Sequence, residues 1–284
     1  MLFGVNLLLL GDSVDRRVMR WFPRLKEMGF DGVEVPVFNP DAVPADEIRA
    51  QAAKAGLLLT ASGALPPGTR FYGKAAAPRR AAEKYIRGCI KAVAALGAPV
   101  VCGPLYKAVG DVDQSLPLEQ QRRETAKALK QLMPLAEEAD VTLAFEPLNR
   151  FETNFMNTVA QGIAFCRATG SRKAGLLLDT FHMHIEEKDS AAAFRAAAAA
   201  GVLAHVHLSE NDRGIAGTGQ VHWREVGAAI KASRYSRWCV LESFNQENQA
   251  IKTAVSCWRP FFPSEKRFAA EGLAFVRKLL SDAH

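Results

Sequence analysis

The sequence predicts an α/β fold of the (β/α)8 TIM-barrel class. Three observations predict it. Short, β-rich apolar runs alternate with longer helical stretches eight times over the 284 residues. Several of these runs are apolar without a break, as strands are when both faces of a parallel sheet are covered. The turn after the first run, Leu10-Gly11-Asp12-Ser13, holds one glycine, whereas an open doubly wound sheet normally carries a glycine-rich phosphate turn there. No low-complexity linker divides the chain, so residues 1–284 are expected to form a single domain.

The elements follow in order. Residues 3–9 form the first strand, and 14–28 an amphipathic helix ended by Gly29. A second strand at 32–37 leads to a helix at 45–55, stopped by Gly56. The third strand spans 57–61, and a Pro/Gly-rich loop at 65–73 precedes a long helix at 78–96, stopped by Gly97. The fourth strand is 99–102, followed by a loop through Gly110 and Pro117 and a helix at 118–139. The fifth is 141–145, with a helix at 158–169 stopped by Gly170. The sixth is 174–178, with a helix at 191–200 stopped by Gly201. The seventh is 203–208, with a helix at 223–232. The eighth is 237–241, and a helix at 265–280 closes the chain. Glycine is favoured just past a helix because it turns left-handed without a Cβ penalty. Strands joined by helical crossovers are parallel.

Hydrophobic residues make up 49% and charged residues 23%, the proportions of a soluble globular protein. This excludes a disordered chain, a fibre and a disulfide-stapled mini-protein. The net charge of +6 and pI of about 9.1 raise the question of nucleic acid or anionic ligands. The cations are scattered, however. Arg16, Arg17 and Arg20, then Arg79 and Arg80, then Arg122 and Arg123 fall on predicted helices among acids and alanines. They read as solvated helix faces, and no nucleic-acid partner is expected. Cys89, Cys102, Cys166, Cys239 and Cys257 form no CxxC pair and sit mostly in apolar surroundings. They are expected to be buried free thiols of a reducing compartment. Residues 7–10 are too short for a membrane span and lack a signal-peptide layout, so a cytoplasmic protein without a membrane partner is expected.

In a barrel of this class the active site lies at the C-terminal ends of the strands. Polar residues concentrate there in the second half. The fifth strand ends in Glu146, the sixth in Asp179 and the eighth in Glu242, and the seventh carries His205 and His207. Singly, each has an ordinary reading: a loop hydrogen bond, an N-cap, a core histidine. Together, three acids converging on one low-dielectric rim would repel one another, and a bound cation is the simplest remedy. Three carboxylates and an imidazole suit Mn²⁺, Mg²⁺ or Co²⁺ rather than structural zinc. His205 and His207 point to the same face of their strand. His207 is nearer the rim and is the expected ligand, and His205 is expected behind the ligands or in the barrel interior. Among the loop residues, Glu152, His182 and Arg213 are candidates to bind hydroxyls of a polar ligand. Gly217-Thr218-Gly219 is expected to form a flexible rim loop.

These residues carry a family resemblance. The strings are Glu146-Pro-Leu-Asn-Arg-Phe-Glu152, Leu178-Asp-Thr-Phe-His-Met183, His205-Val-His-Leu-Ser-Glu-Asn-Asp-Arg213, Leu241-Glu-Ser-Phe244 and Gly103-Pro-Leu-Tyr106. The chain resembles the xylose-isomerase-like sugar isomerase/epimerase superfamily and, within it, the ketose 3-epimerases acting on D-tagatose and D-allulose (psicose). The resemblance spans nearly the whole chain. It implies that Glu146, Asp179, His207 and Glu242 bind one divalent metal, Mn²⁺ above Co²⁺ or Mg²⁺. It implies that Glu146 and Glu242 are the acid/base pair, and that Glu152, His182 and Arg213 contact the sugar. The implied reaction is epimerisation of free ketoses at C3 through an enediolate, in a homodimer or homotetramer.

The chain departs from the family pattern at three places. Residues 6–10 offer Asn and leucines where an aromatic packs on the sugar. His184 stands where Asn is expected, and Lys107 where smaller residues are common. These touch the sugar pocket and leave the metal ligands intact. The stretch Cys257-Trp258-Arg259-Pro260 lies in the long loop after the eighth strand. That loop would cover the pocket or join a subunit interface, with Trp258 as a mere loop anchor as the alternative. The rival readings are an aldose–ketose or hydroxy-carbonyl isomerase of the same superfamily, a DNA-repair endonuclease and a non-catalytic sugar-binding barrel. An endonuclease of that kind needs several zincs, for which six histidines, two of them (His222 and His284) off the rim strings, are too few.

Overall fold

The computed structural model describes residues 1–281; His284 lies outside the described residues. Eight parallel strands close in chain order into a barrel. They are β1 Leu2–Asn6, β2 Gly32–Pro36, β3 Leu58–Ser62, β4 Val100–Gly103, β5 Thr142–Phe145, β6 Ala174–Asp179, β7 Leu203–Leu208 and β8 Trp238–Leu241. Pairing of β1 with both β2 and β8 completes the ring. Outside it lie α1 Arg16–Met19 and α2 Phe22–Met28 after β1, α3 Ala45–Ala55 after β2 and α4 Ala76–Leu96 after β3. Then come α5 Leu118–Lys130 and α6 Met133–Glu138, α7 Val159–Thr169, α8 Thr180–Glu186 and α9 Ser190–Ala199. The last are α10 Trp223–Ala232 after β7, and α11 Gln249–Ala254 and α12 Glu265–Leu280 after β8.

The expected helix stops hold. Gly29, Gly56, Gly97 and Gly170 cap their helices in the left-handed conformation, at φ of 104°, 73°, 71° and 69°. Four boundaries differ from expectation. The first strand ends at Asn6, whose side chain accepts a hydrogen bond from Leu8 N at 3.0 Å and turns Leu7–Leu9 into a 3-10 helix. The helix expected over 14–28 is two helices, because Pro23 has no N–H to continue the ladder and begins a new helix at its own first turn. Pro134 divides the helix expected over 118–139 in the same way. The polar stretch after β6, read as a loop, is the helix α8.

The main core lies between the outward strand faces and the helices; Ile86, Cys89 and Val93 of α4, for example, are completely buried. A separate inward cluster of Val100, Cys102, Ala144, Leu177 and Ala204 fills part of the barrel interior. All five cysteines are free and buried. Among the described residues, no helix is long and apolar enough to cross a membrane.

Candidate active site at the C-terminal rim

Each expected ligand arrives at the end of its strand. Glu146 directly follows β5, Asp179 is the last residue of β6, His207 stands one residue before the end of β7, and Glu242 directly follows β8. Parallel pairing sets Asp179 beside His207 and His207 beside Val240. Alternation along β6 and β7 then turns both polar side chains inward, while Leu178 and Leu208 join the outer core. The four residues are all buried. They form two groups of ligating atoms, Asp179 with His207 and Glu242, and Glu146 with Asp179 and His182. The atoms of each group lie within 4.8 Å of one another, and Asp179 belongs to both.

The electrostatics follow from this crowding. Burial first, then the charges of Glu242 and Asp179, push the Glu146 carboxyl well above the usual carboxylate range. Asp179 goes the other way. Burial would raise it, but the charge of Arg213 above all brings it down to about 2. Its Oδ1 accepts from Phe181 N at 2.9 Å and caps α8, so the ordinary N-cap reading is also true of it. Its Oδ2 accepts from Arg213 Nη1 at 2.6 Å. The same Nη1 donates to Glu242 Oε2 and to Ser209 Oγ, each at 3.0 Å. The Arg213 guanidinium lies 3.9 Å from the ring centre of Phe181 and 5.1 Å from that of Phe244.

His207 Nδ1 lies 3.2 Å from Glu242 Oε1, yet it is buried without a hydrogen-bond partner. Burial would lower the pKa of this ring, but the charges of Glu242 and Glu34 raise it well above its usual value; an unpartnered ring nitrogen among acceptor-only carboxylates is a site that fits a divalent cation in place of that proton. His182 accepts from Asn149 N at its Nδ1, at 3.1 Å. Burial lowers its pKa to about 4, so the ring is neutral and presents Nε2–H toward Glu146 Oε1, 3.5 Å away. Asn149 Nδ2 donates to Glu152 Oε1 at 2.8 Å, which ties Glu152 to the same edge. The three expected sugar contacts thus fall into two linked positions: His182 and Arg213 beside the carboxylates, and Glu152 one residue farther out.

One buried acid escaped the sequence reading. Glu34, in the middle of β2, is completely buried. Its Oε1 lies 2.7 Å from His207 Nε2 and its Oε2 2.7 Å from His205 Nε2. Burial would raise its pKa, but the charges and hydrogen bonds of the two histidines outweigh burial and hold it well below the usual range. The available signal was a glutamate inside the apolar run Gly32-Val33-Glu34-Val35-Pro36. It sits in mid-strand, so a search confined to strand ends passes over it. His205 is completely buried, in the barrel interior as expected.

Other expectations meet mixed outcomes. The glycine-bearing rim loop is tied down rather than flexible: Glu210 accepts from Asn211 N, Gly217 N, Val221 N and Trp223 Nε1 at 2.8–3.0 Å. Trp258 is 70% exposed and does not anchor its loop, whereas its neighbour Cys257 is buried. Lys107 is buried and donates to Gln121 Oε1 and Asn154 Oδ1, both at 3.1 Å, bracing the loop after β4. His184 sits on α8 with its ring 6.3 Å from that of His222.

Residues 22–276 match the family model of the xylose isomerase-like TIM barrel. A probable ketose 3-epimerase of Synechocystis sp. is 34% identical over 260 residues, covering 90% of this chain and 89% of that protein. The L-ribulose 3-epimerase of Mesorhizobium japonicum is 33% identical over 268 residues, covering 93% and 89%. The crystal structure of D-allulose 3-epimerase from Methylomonas sp. superposes with a TM-score of 0.92 at 27% identity, covering 99% and 98%. The chain therefore belongs to the xylose isomerase-like TIM barrel family, within its ketose 3-epimerase group.

Proposed function

We propose that the chain is a metal-dependent epimerase of free ketoses at C3, with D-tagatose, D-fructose/D-allulose and L-ribulose as the substrate class. The observation that carries this reading is the order of groups around the rim. Glu146 at β5 and Glu242 at β8 flank Asp179 and His207 of β6 and β7. Two carboxylates on either side of a cation-binding pair are what inversion of one carbon requires.

Glu146, Asp179, His207 and Glu242 would hold one divalent ion, Mn²⁺ in preference to Co²⁺ or Mg²⁺. When bound, that ion supplies charge stabilisation for the oxygen anion that develops at C2. The chain's own residues carry out the proton transfers. One glutamate, ionised, removes the C3 proton from one face, and the C–H electron pair moves into a C2–C3 double bond as charge passes to O2. The other glutamate, protonated, delivers its proton to C3 from the opposite face, and the carbonyl reforms. In the reverse direction the two exchange roles. Burial and the charges of Glu242 and Asp179 raise the pKa of Glu146, and a cation bound beside it would lower it again. His182 Nε2–H, the Arg213 guanidinium and Glu152 offer donors and an acceptor to sugar hydroxyls and orient C3 between the glutamates.

The test is a screen of D-fructose, D-tagatose and L-ribulose with chelated and Mn²⁺-reloaded protein, products scored by chromatography. Ketose phosphates serve as comparison. Metal-restored 3-epimers are expected. An aldose product without any 3-epimer would refute the assignment in favour of aldose–ketose isomerisation.

A further inference from the structure

Beneath the site, the buried Glu34 takes no part in the proton transfers just described. Its contacts divide between its two oxygens. Oε1 faces His207 Nε2 at 2.7 Å and accepts from Asn6 Nδ2 at 3.0 Å. Oε2 faces His205 Nε2 at 2.7 Å, accepts from Thr60 Oγ1 at 3.0 Å and lies 3.4 Å from Cys102 Sγ. Strand register builds this cage: Asn6, Glu34 and Thr60 are direct neighbours across β1, β2 and β3. Asn6 Nδ2 also donates to Glu242 Oε1 at 2.9 Å, so one amide spans both carboxylates.

Donors surround both oxygens of Glu34, Asn6 Nδ2 on Oε1 and Thr60 Oγ1 on Oε2, so the carboxylate accepts and the His207 nitrogen 2.7 Å from Oε1 carries the hydrogen. A cation bound beside Glu242 would displace the hydrogen from the other ring nitrogen, Nδ1, and take up its lone pair. We propose that Glu34 is a positioning residue that holds His207 as the Nε2–H tautomer and aims its bare Nδ1 at the cation site, with Asn6 passing the same restraint to Glu242. This rests on the metal-dependent reading above. Orientation of a ligating histidine by a carboxylate behind it is worth about 10–100-fold in metal affinity.

The experiment is calorimetric titration of Mn²⁺ into the chelated native chain and into Glu34→Gln. Glutamine has the same shape, but its single carbonyl oxygen cannot accept from both imidazoles. The expected result is one Mn²⁺ per chain in both proteins and an affinity about 10–100-fold weaker in the variant. Turnover should be largely regained at excess Mn²⁺, and KM for the ketose should be unchanged. A purely structural role would lower the melting temperature and leave metal affinity where it was, which would overturn the proposal. Two Mn²⁺ per native chain would overturn it as well, because Glu34, Cys102, His205 and His207 would then be ligands themselves. Absence of any Mn²⁺ binding to the native chain would instead remove the metal reading on which this one stands.

Should Glu34→Gln fail to fold, the native chain still decides. Nitrogen-15 histidine spectra of the Mg²⁺-loaded protein, with the His207 signals assigned by their loss in His207→Asn, should show a protonated Nε2 and a bare Nδ1. A protonated Nδ1 would overturn the proposal.

Discussion

Arg213→Met tests the electrostatic logic of the rim most directly. The methionine keeps an apolar stem between Phe181 and Phe244, and it meets the same left-handed backbone, φ 62°, so the substitution isolates the guanidinium. That group is buried and donates to both Asp179 and Glu242, at 2.6 and 3.0 Å. Removing one partner from a buried ion pair costs about 3–5 kcal/mol, chiefly because the remaining charge is left uncompensated. Here two carboxylates lose their shared cation, with Glu146 close by. In a domain of this size each kcal/mol moves the melting temperature by about 2–4 °C, so the chelated variant should melt about 6–20 °C below the chelated native chain. A divalent ion replaces the missing positive charge. Mn²⁺ at 100 times its Kd stabilises the native chain by about 2.7 kcal/mol, and it should stabilise the variant more, so the gap between the two should shrink to about half or less. The assay is differential scanning calorimetry of both proteins with EDTA and with Mn²⁺. A loss under about 1 kcal/mol in EDTA, or a gap of equal size in both conditions, would refute the reasoning.

Other predictions address chemistry, pH and packing. Glu146→Gln and Glu242→Gln should each reduce 3-epimerisation by at least about 10²–10⁴-fold while ketose binding, followed by calorimetry, persists; full activity in either would end the two-base mechanism. Cys89, Cys166 and Cys239 are raised by burial from the usual 9.0 to about 12. Between those values the folded chain keeps thiol protons that the unfolded chain releases, so stability should fall as pH rises above about 9. Urea midpoints at pH 8 and pH 10.5 measure this; an equal or higher midpoint at pH 10.5 contradicts it. Gly103→Ala adds a Cβ 2.2 Å from Gly63 O at φ 124°, and backbone cannot yield as a side-chain tip can. It should cost about 2–6 kcal/mol from strain and overlap together. Gly68→Ala, at φ 76° with nothing within 4 Å, should cost only about 1–2 kcal/mol, and equal losses from the two would contradict the packing argument.

Much of this molecule is legible in its sequence because the signals are local. A glycine after several helices, an unbroken apolar run in several strands and the eightfold alternation of the two specify a barrel without reference to any distant contact. Strand-end position then marks Glu146, Asp179, His207 and Glu242, since a barrel presents the C-terminal ends of its strands on one rim. Pro23 and Pro134 are equally visible, and each divides a stretch whose hydrophobic periodicity alone reads as one helix. The remainder depends on the closure of the ring. Nothing within β2 says that Glu34 faces two histidines from β7, which lies 173 residues further along for His207; only the curvature that brings opposite strands together inside the barrel makes them neighbours. The same holds for Arg213. Its sequence neighbours suggest a loop residue reaching for a sugar, whereas the fold seats it between Asp179 of β6 and Glu242 beyond β8. Periodicity along the chain determines which residues face inward. Which of those inward groups touch, and therefore which nitrogen carries a hydrogen and which carboxylate holds a proton, is decided by cross-barrel distances that exist only in the closed structure.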